Sequence, residues 1–244
     1  MTTAPHDGAP HDGAPHDGAP HDGAFTDGWL RRFADAARAT EPELTALDQQ
    51  SGDGDFGVNL NAGTTAALVR LDALDETGRG PAAGPLDAAA SAFLDEVGGT
   101  SGPLFGLLLQ SLAASAEAAG ASDGRLTTPA LAEGVAEGLA AIRRVGDAEP
   151  GDKTLVDALP PAAGALAAAG PDTPPDEALR HAAEAAWQGV RDTAGLRARQ
   201  GRASYLRDRA TDVPDPGAVG VALFLTSAGS TVTALTPYLS PAMS

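Results

Sequence analysis

The chain has 244 residues, sets 33 acidic against 16 basic side chains for a formal charge of −17, and contains no cysteine. Such a charge disfavours a nucleic-acid or anionic-membrane partner, and the missing thiols exclude disulfides, zinc knuckles and cysteine nucleophiles while leaving the redox compartment undetermined. The length suits one domain of about 200 residues preceded by a tail.

Residues 4–23 are four copies of APHDG, with no large apolar side chain among them. They cannot bury enough surface to offset the entropy of ordering, so residues 1–24 are expected to form a disordered tail. His6, His11, His16 and His21 each precede an aspartate, where loose metal binding competes with a solvated tail that has no chemistry. With the tail set aside, His181 is the only histidine of the expected folded part, and ALRHAAEAAW reads as a helix surface or groove. No basic stretch followed by an apolar run opens the chain, which makes cytoplasmic the default location.

From Thr26 onward apolar residues recur at three and four positions, as in Trp29, Leu30, Phe33 and Ala37, and the pattern breaks at Gly, Pro or Asp clusters. The spacing predicts helices over 26–39, 41–50, 58–75, 84–97, 102–120, 127–145, 152–169, 174–195 and 215–234. Alanine favours several of them, and LFGLLLQSL is too long and lacks the β-branched residues of a strand. The fold class is therefore all-α, a bundle occupying residues 25–238. Residues 216–244 carry no charge. AVGVALFLTSAGSTVTAL has the length of a membrane span, but its Gly, Ser and Thr content favours a helix buried on most sides of the bundle.

Between predicted helices lie four loops that could carry chemistry. In LDQQSGDGDFGVN, Gly52 and Gly54 allow a sharp turn, so that Asp53 and Asp55 can converge with Asp48 from the helix before. Like charges about 4 Å apart repel by roughly 4 kcal/mol per pair at an effective dielectric near 20, which calls for a cation among them. All-oxygen donors select Mg²⁺ or Ca²⁺. An EF-hand is excluded because Thr64 or Asn59 stands where the bidentate Glu belongs, and Mg²⁺ completed by phosphates fits three aspartates better. A solvated Asp-Gly turn is the alternative.

In VGGTSGPLFG, residues 97–106, glycines flank Thr100 and Ser101 ahead of Pro103, giving backbone N–H groups and hydroxyls at a helix start that suit phosphate. A tight helix-to-helix turn capped by Ser101 would look the same. GDAEPGDKTLVDAL, from Gly146, superficially resembles a Walker A loop, but Asp152 separates Gly151 from Lys153 and an amphipathic helix precedes it, so that reading is rejected. Lys153 and Thr154 could still face a nucleotide, with Asp152 as a cap. RARQGRASYLRDRATDVPDPGA gathers Arg197, Arg199, Arg202, Arg207 and Arg209, either to neutralise phosphates or as an ion-paired surface strip, and Asp215 with Pro216 reads as a helix start. One end of a helical bundle could collect all four loops.

Taken together, DQQSGDGDFG at 48–57, GGTSGPLFG at 98–106, GDKTLVDAL at 151–159 and GRASYLRDR with DPGA over 201–218 resemble the L subunit, the DhaL-type nucleotide-binding domain, of dihydroxyacetone kinases. The blocks occur in family order and span most of residues 26–235. The resemblance implies an antiparallel barrel of about eight amphipathic helices that holds ADP or ATP at one end through two Mg²⁺ ions. It assigns Asp48, Asp53 and Asp55 to the metal. It places Phe56, Gly57, Val58, Asn59, Thr100 and Ser101 along the phosphates, and Leu104, Gly146, Thr154 and Leu155 around the nucleoside. Arg202 and the Asp215, Pro216, Gly217 turn would close over it. Two positions depart from the family pattern: Phe56 stands where a histidine is usual, and Leu155 where a methionine is.

The same resemblance implies that the acceptor is held by a separate K subunit, so that this chain would be half of a dihydroxyacetone (glycerone) kinase. Its phosphoryl donor would be ATP, or a phosphotransferase-system phosphocarrier recharging resident ADP. The alternatives are a kinase domain serving another hydroxyketone, sugar or fatty acid, and a nucleotide-sensing module without chemistry, which Phe56 keeps in play.

Overall fold

Helices make up all the regular secondary structure among the described residues, which in the computed structural model are 21–99, 101–120, 123–200 and 212–240. Eight are of ten residues or more: α1 (Gly23–Ser51), α2 (Phe56–Asp72), α4 (Ala83–Glu96), α5 (Ser101–Ala119), α6 (Thr128–Gly146), α7 (Leu159–Ala168), α8 (Pro175–Thr193) and α9 (Pro216–Thr226). The single turns α3 (Glu76–Arg79) and α10 (Thr236–Leu239) were not expected from the sequence. The long helices pack on one another in chain order, and α9 returns to α1, so the ring closes. Short connections between consecutive neighbours make the packing antiparallel, the barrel that the resemblance implies.

Closure depends on aromatic contacts between the first and last long helices. The Trp29 ring stacks on Phe224 at 4.5 Å, and its indole N–H donates to the Phe224 carbonyl at 2.6 Å. Phe33 meets Phe224 edge-on at 5.3 Å and lies 6.3 Å from Phe105, which continues to Phe93 at 5.9 Å. These rings link α1, α9, α5 and α4 in one core. Every residue of α9 from Pro216 to Leu225 is buried. Its unbroken apolarity is thus explained by protein on all sides, and among the described residues no helix is long and apolar enough to cross a membrane.

Three boundaries differ from the sequence reading. The expected break between 39 and 41 is absent, because α1 runs through Pro42. Proline removes one helical hydrogen bond, but position 42 is exposed, where water can serve the freed carbonyl, and the buried stripe from Trp29 to Leu44 holds both halves to one core. The segment expected as helix from 152 starts instead at Thr154, whose hydroxyl accepts from the Val156 N–H in a reciprocal box with Asp157. A 3-10 turn, Leu155–Ala158, then leads into α7, since Pro160 and Pro161 have no N–H with which to extend it backwards. The helix expected over 215–234 stops at Thr226, where Thr226 and Ser227 bond back to the Ala222 and Leu223 carbonyls and Arg32 takes the Ser227 and Ala228 carbonyls.

The tail boundary also moves. Residues 1–20 lie outside the described residues, but residues 21–23, the end of the last repeat copy, contact the helices. The Asp22 carboxylate accepts from the Ala24 N–H as the N-cap of α1, the Gly23 N–H donates to the Gly80 carbonyl, and the Leu126 N–H donates to the His21 carbonyl. His21 contacts Asp176 at 3.1 Å and Phe25 edge-on at 4.8 Å. His181 is therefore not the only histidine in the folded part. It sits on the outer face of α8 beside Glu177, Arg180 and Glu184.

Because Pro42 removes one hydrogen bond at an exposed position of a continuous helix, Pro42→Ala should raise stability by about 1–3 kcal/mol in reversible denaturation. A loss of stability would show that the proline is needed to set the course of α1.

Candidate functional site

At the C-terminal end of α1 the chain turns through Ser51–Asp55 into α2. Gly54 has a φ of 82°, in the left-handed region that favours glycine, and a side-chain carbon at Gly52 would stand 2.3 Å from the Asp48 carboxylate. The turn brings Asp48, Asp53 and Asp55 together, with one carboxylate oxygen from each lying within 4.8 Å of the others. Asp48 is buried, the other two are exposed, and the Phe56 N–H donates to the Asp48 carboxylate at 3.0 Å. Burial pushes the Asp48 carboxyl above its ordinary range, the Phe56 N–H opposes that shift, and the neighbouring Asp53 and Asp55 charges add to it. A hard divalent cation fits this donor set, since it would offset the mutual repulsion and accept only oxygen ligands.

The carboxylates open onto a cleft of about 430 Å³ at one end of the barrel. Four helical starts surround it: Phe56 and Asn59 of α2, Ser101 and Leu104 of α5, Thr154 and Leu155 of the 3-10 turn, and Asp215, Pro216 and Gly217 at the head of α9. Converging helix starts suit an anion, and the carboxylate cluster lies along the same wall. Gly146, at the end of α6, completes the set.

Most residues that the resemblance assigns therefore share one cleft, although two described ones do not line it. Gly57 is buried against α1 next to Thr45, and Val58 points outward at 52% exposure. Thr100 and Arg202 lie outside the described residues, as do Arg207 and Arg209. Of the remaining arginines, Arg199 is exposed and stands 3.7 Å from Asp152. Asp152 does not cap the following turn, since its carboxylate accepts from the Glu149 N–H. Phe56 turns its ring into the core, where it and Phe105 both approach Gly220. Asp215 caps α9 through the Ala218 N–H at 2.7 Å and also lines the cleft, so capping and site placement are combined in one side chain.

Ser51, Gly99, Ala148 and Gln200 line the cleft without having been singled out. Gly99 sat inside a motif already recognised; Gln200 had no sequence signal, and reaches the site because its amide donates to the Asp147 carbonyl. No histidine among the described residues lines the cleft. The larger groove, about 770 Å³, lies at the other end of α1 and α9, among Phe25, Trp187, Tyr238 and Arg32. It lacks both the carboxylate cluster and the converging helix starts of the smaller cleft.

Burial raises the Asp215 carboxyl to about 7; the Ala218 N–H opposes this, Asp157 and Asp48 add to it, and Lys153 works against it. The folded state then holds a proton that the unfolded chain releases near pH 4. The contribution of this group is full below pH 4 and is lost as pH rises to about 7. Denaturation of the metal-free protein should show stability falling across that window, with a shallower fall in Asp215→Asn, which retains a capping oxygen. Equal slopes would exclude Asp215 as the titrating group.

A family model described as the DAK2 domain matches residues 50–230. The chain is 36% identical over 205 residues to the L-erythrulose 1-kinase of Mycolicibacterium smegmatis, covering 84% of this chain and 35% of that protein. It is 34% identical over 194 residues to the ADP-binding subunit DhaL of the PEP-dependent dihydroxyacetone kinase of Escherichia coli, covering 79% of this chain and 89% of that subunit. The chain spans about a third of the length of the erythrulose kinases it matches. A solved structure, the dihydroxyacetone kinase from C. freundii in complex with AMP-PNP and Mg²⁺, shares the fold at a TM-score of 0.62 and 24% identity, over 93% of this chain and 37% of that chain. A family model matching most of the chain and a relative matched over nearly its whole length lead to one conclusion: the chain belongs to the DAK2 family of kinase domains and is of the DhaL type.

Proposed function

We propose that this domain binds a nucleoside di- or triphosphate with Mg²⁺ and transfers a phosphoryl group to a hydroxyl of a short hydroxyketone presented by a separate K-type subunit. The observation that carries the reading is the convergence of three carboxylates and four helix starts on one cleft. Asp48, Asp53 and Asp55 would hold the metal, which supplies charge neutralisation on the transferring group. Asn59 and Ser101 would orient the phosphates, together with Thr100 and the backbone N–H groups of Gly57 and Val58. Leu104, Gly146, Leu155 and Gly217 would enclose the nucleoside, with Arg202 and Asp215 beside it.

The cleft offers carboxylates, hydroxyls and backbone groups, which position and stabilise charge, but no described histidine that could carry the acceptor. Binding of the acceptor by a partner agrees with this inventory and with the relatives that are about three times as long. Dihydroxyacetone is the first candidate, and erythrulose, one hydroxymethylene longer, the second. The donor is either ATP or a phosphocarrier that recharges bound ADP, a distinction to which the name of the Escherichia coli relative points. A cytoplasmic location suits either donor.

A nucleotide sensor without transfer is the competing reading, and the burial of Phe56 in the core favours it, because no polar side chain occupies that place beside the phosphates. Calorimetric titration of ADP and ATP with and without Mg²⁺ should show metal-dependent binding that weakens about tenfold or more in Asp53→Ala. Phosphate should then appear on dihydroxyacetone or erythrulose when a K-type subunit loaded with it is added. Binding without transfer to either acceptor supports the sensor, and no binding defeats both readings.

A further inference from the structure

Lys153 is the only lysine among the 16 basic residues of the chain, and it is buried, at 2% exposure. Its φ of 63° lies in the left-handed region, a conformation that costs a non-glycine residue about 1–2 kcal/mol. Lys153 lines the cleft, but its ammonium is bonded within the protein. Its ammonium donates to the Thr193 carbonyl at 2.7 Å and to the Val213 carbonyl at 2.7 Å. Thr193 ends α8, where the negative pole of the helix favours a cation, and Val213 lies two residues before the Asp215 cap of α9. A third bond secures the same junction, as the Asp215 N–H donates to the Thr193 hydroxyl at 2.8 Å.

We propose that Lys153 is a positioning residue of the cleft, its ammonium fixing the distance between the Thr154–Leu155 turn and the Asp215–Gly217 turn. This rests on the nucleotide reading above. The two turns face each other closely: a side-chain carbon at Gly217 would lie 3.1 Å from the Leu155 Cβ. Thr154 and Leu155 follow Lys153 directly in the chain, while Asp215 lies two residues beyond its acceptor Val213. A single compact cation therefore joins both walls of the nucleoside end to the end of α8. Arginine, planar and forked, would place its donors differently from an ammonium bonded to two separate carbonyls. The carboxylate end of the cleft is built from α1 and the turn into α2, and neither Lys153 bond reaches it.

That separation gives the test. Lys153→Met keeps the length and removes the donors; Lys153→Gly removes the donors and also relieves the left-handed backbone. Binding of Mg²⁺-ADP and of Mg²⁺-tripolyphosphate, which has no nucleoside, is measured for both variants and the wild type by calorimetry, alongside thermal unfolding. Both variants should unfold cooperatively and weaken ADP by about tenfold or more, while tripolyphosphate stays within about twofold of wild type. Unchanged ADP binding, equal loss of both ligands, or failure of both variants to fold would overturn the positioning role. Wild type binding neither ligand would instead defeat the nucleotide reading itself.

Discussion

The return of α9 to α1 is the contact on which the site depends. Without it the head of α9 would have no fixed place opposite the α1–α2 turn, and the carboxylates would face solvent rather than a cleft. Stacking of Trp29 on Phe224, with the indole N–H on the Phe224 carbonyl, ties the α1 side chain to the backbone of α9 as well as to its surface. An apolar contact alone would tolerate sliding, whereas a buried donor that must keep its acceptor does not.

Closure of an even number of antiparallel helices has a direct chemical result. Helix starts and helix ends alternate around each rim, so one rim gathers the N-termini of α2, α5 and α9 together with the start of the 3-10 turn before α7. The positive poles of these helix starts favour anions, and the Asp48, Asp53, Asp55 cluster beside them favours a cation. An anion complexed with a divalent cation satisfies both preferences. The strain visible at this rim, with left-handed Asp147, Lys153 and Asp212, lies in the loops that shape the cleft, and the barrel below holds them in place.

Much of this was legible in the sequence because it is local. Glycine at 52 and 54 between aspartates specifies a tight acidic turn whatever surrounds it, and the recurrence of apolar residues from Trp29 to Phe224 identified most helices to within a few residues. Pro42 misled because propensity describes an isolated helix, and the shared core of both halves outweighed one lost hydrogen bond. His21 was assigned to the tail on composition, yet contacts with Asp176, Phe25 and Leu126, all remote or unspecified by the repeat, draw it into the fold.

By itself the sequence determined the all-helical class, the buried character of the uncharged last helix and the residue types available for metal and phosphate, since each follows from local composition and spacing. Only the tertiary structure decided which of them meet. Gln200 reached the cleft, Val58 turned away, and Lys153 spent its charge on two carbonyls distant in sequence. The physical reason is that a side chain's direction is set by the helix face on which it falls and by the partners that the closed ring brings to it, neither of which is encoded within one turn of chain.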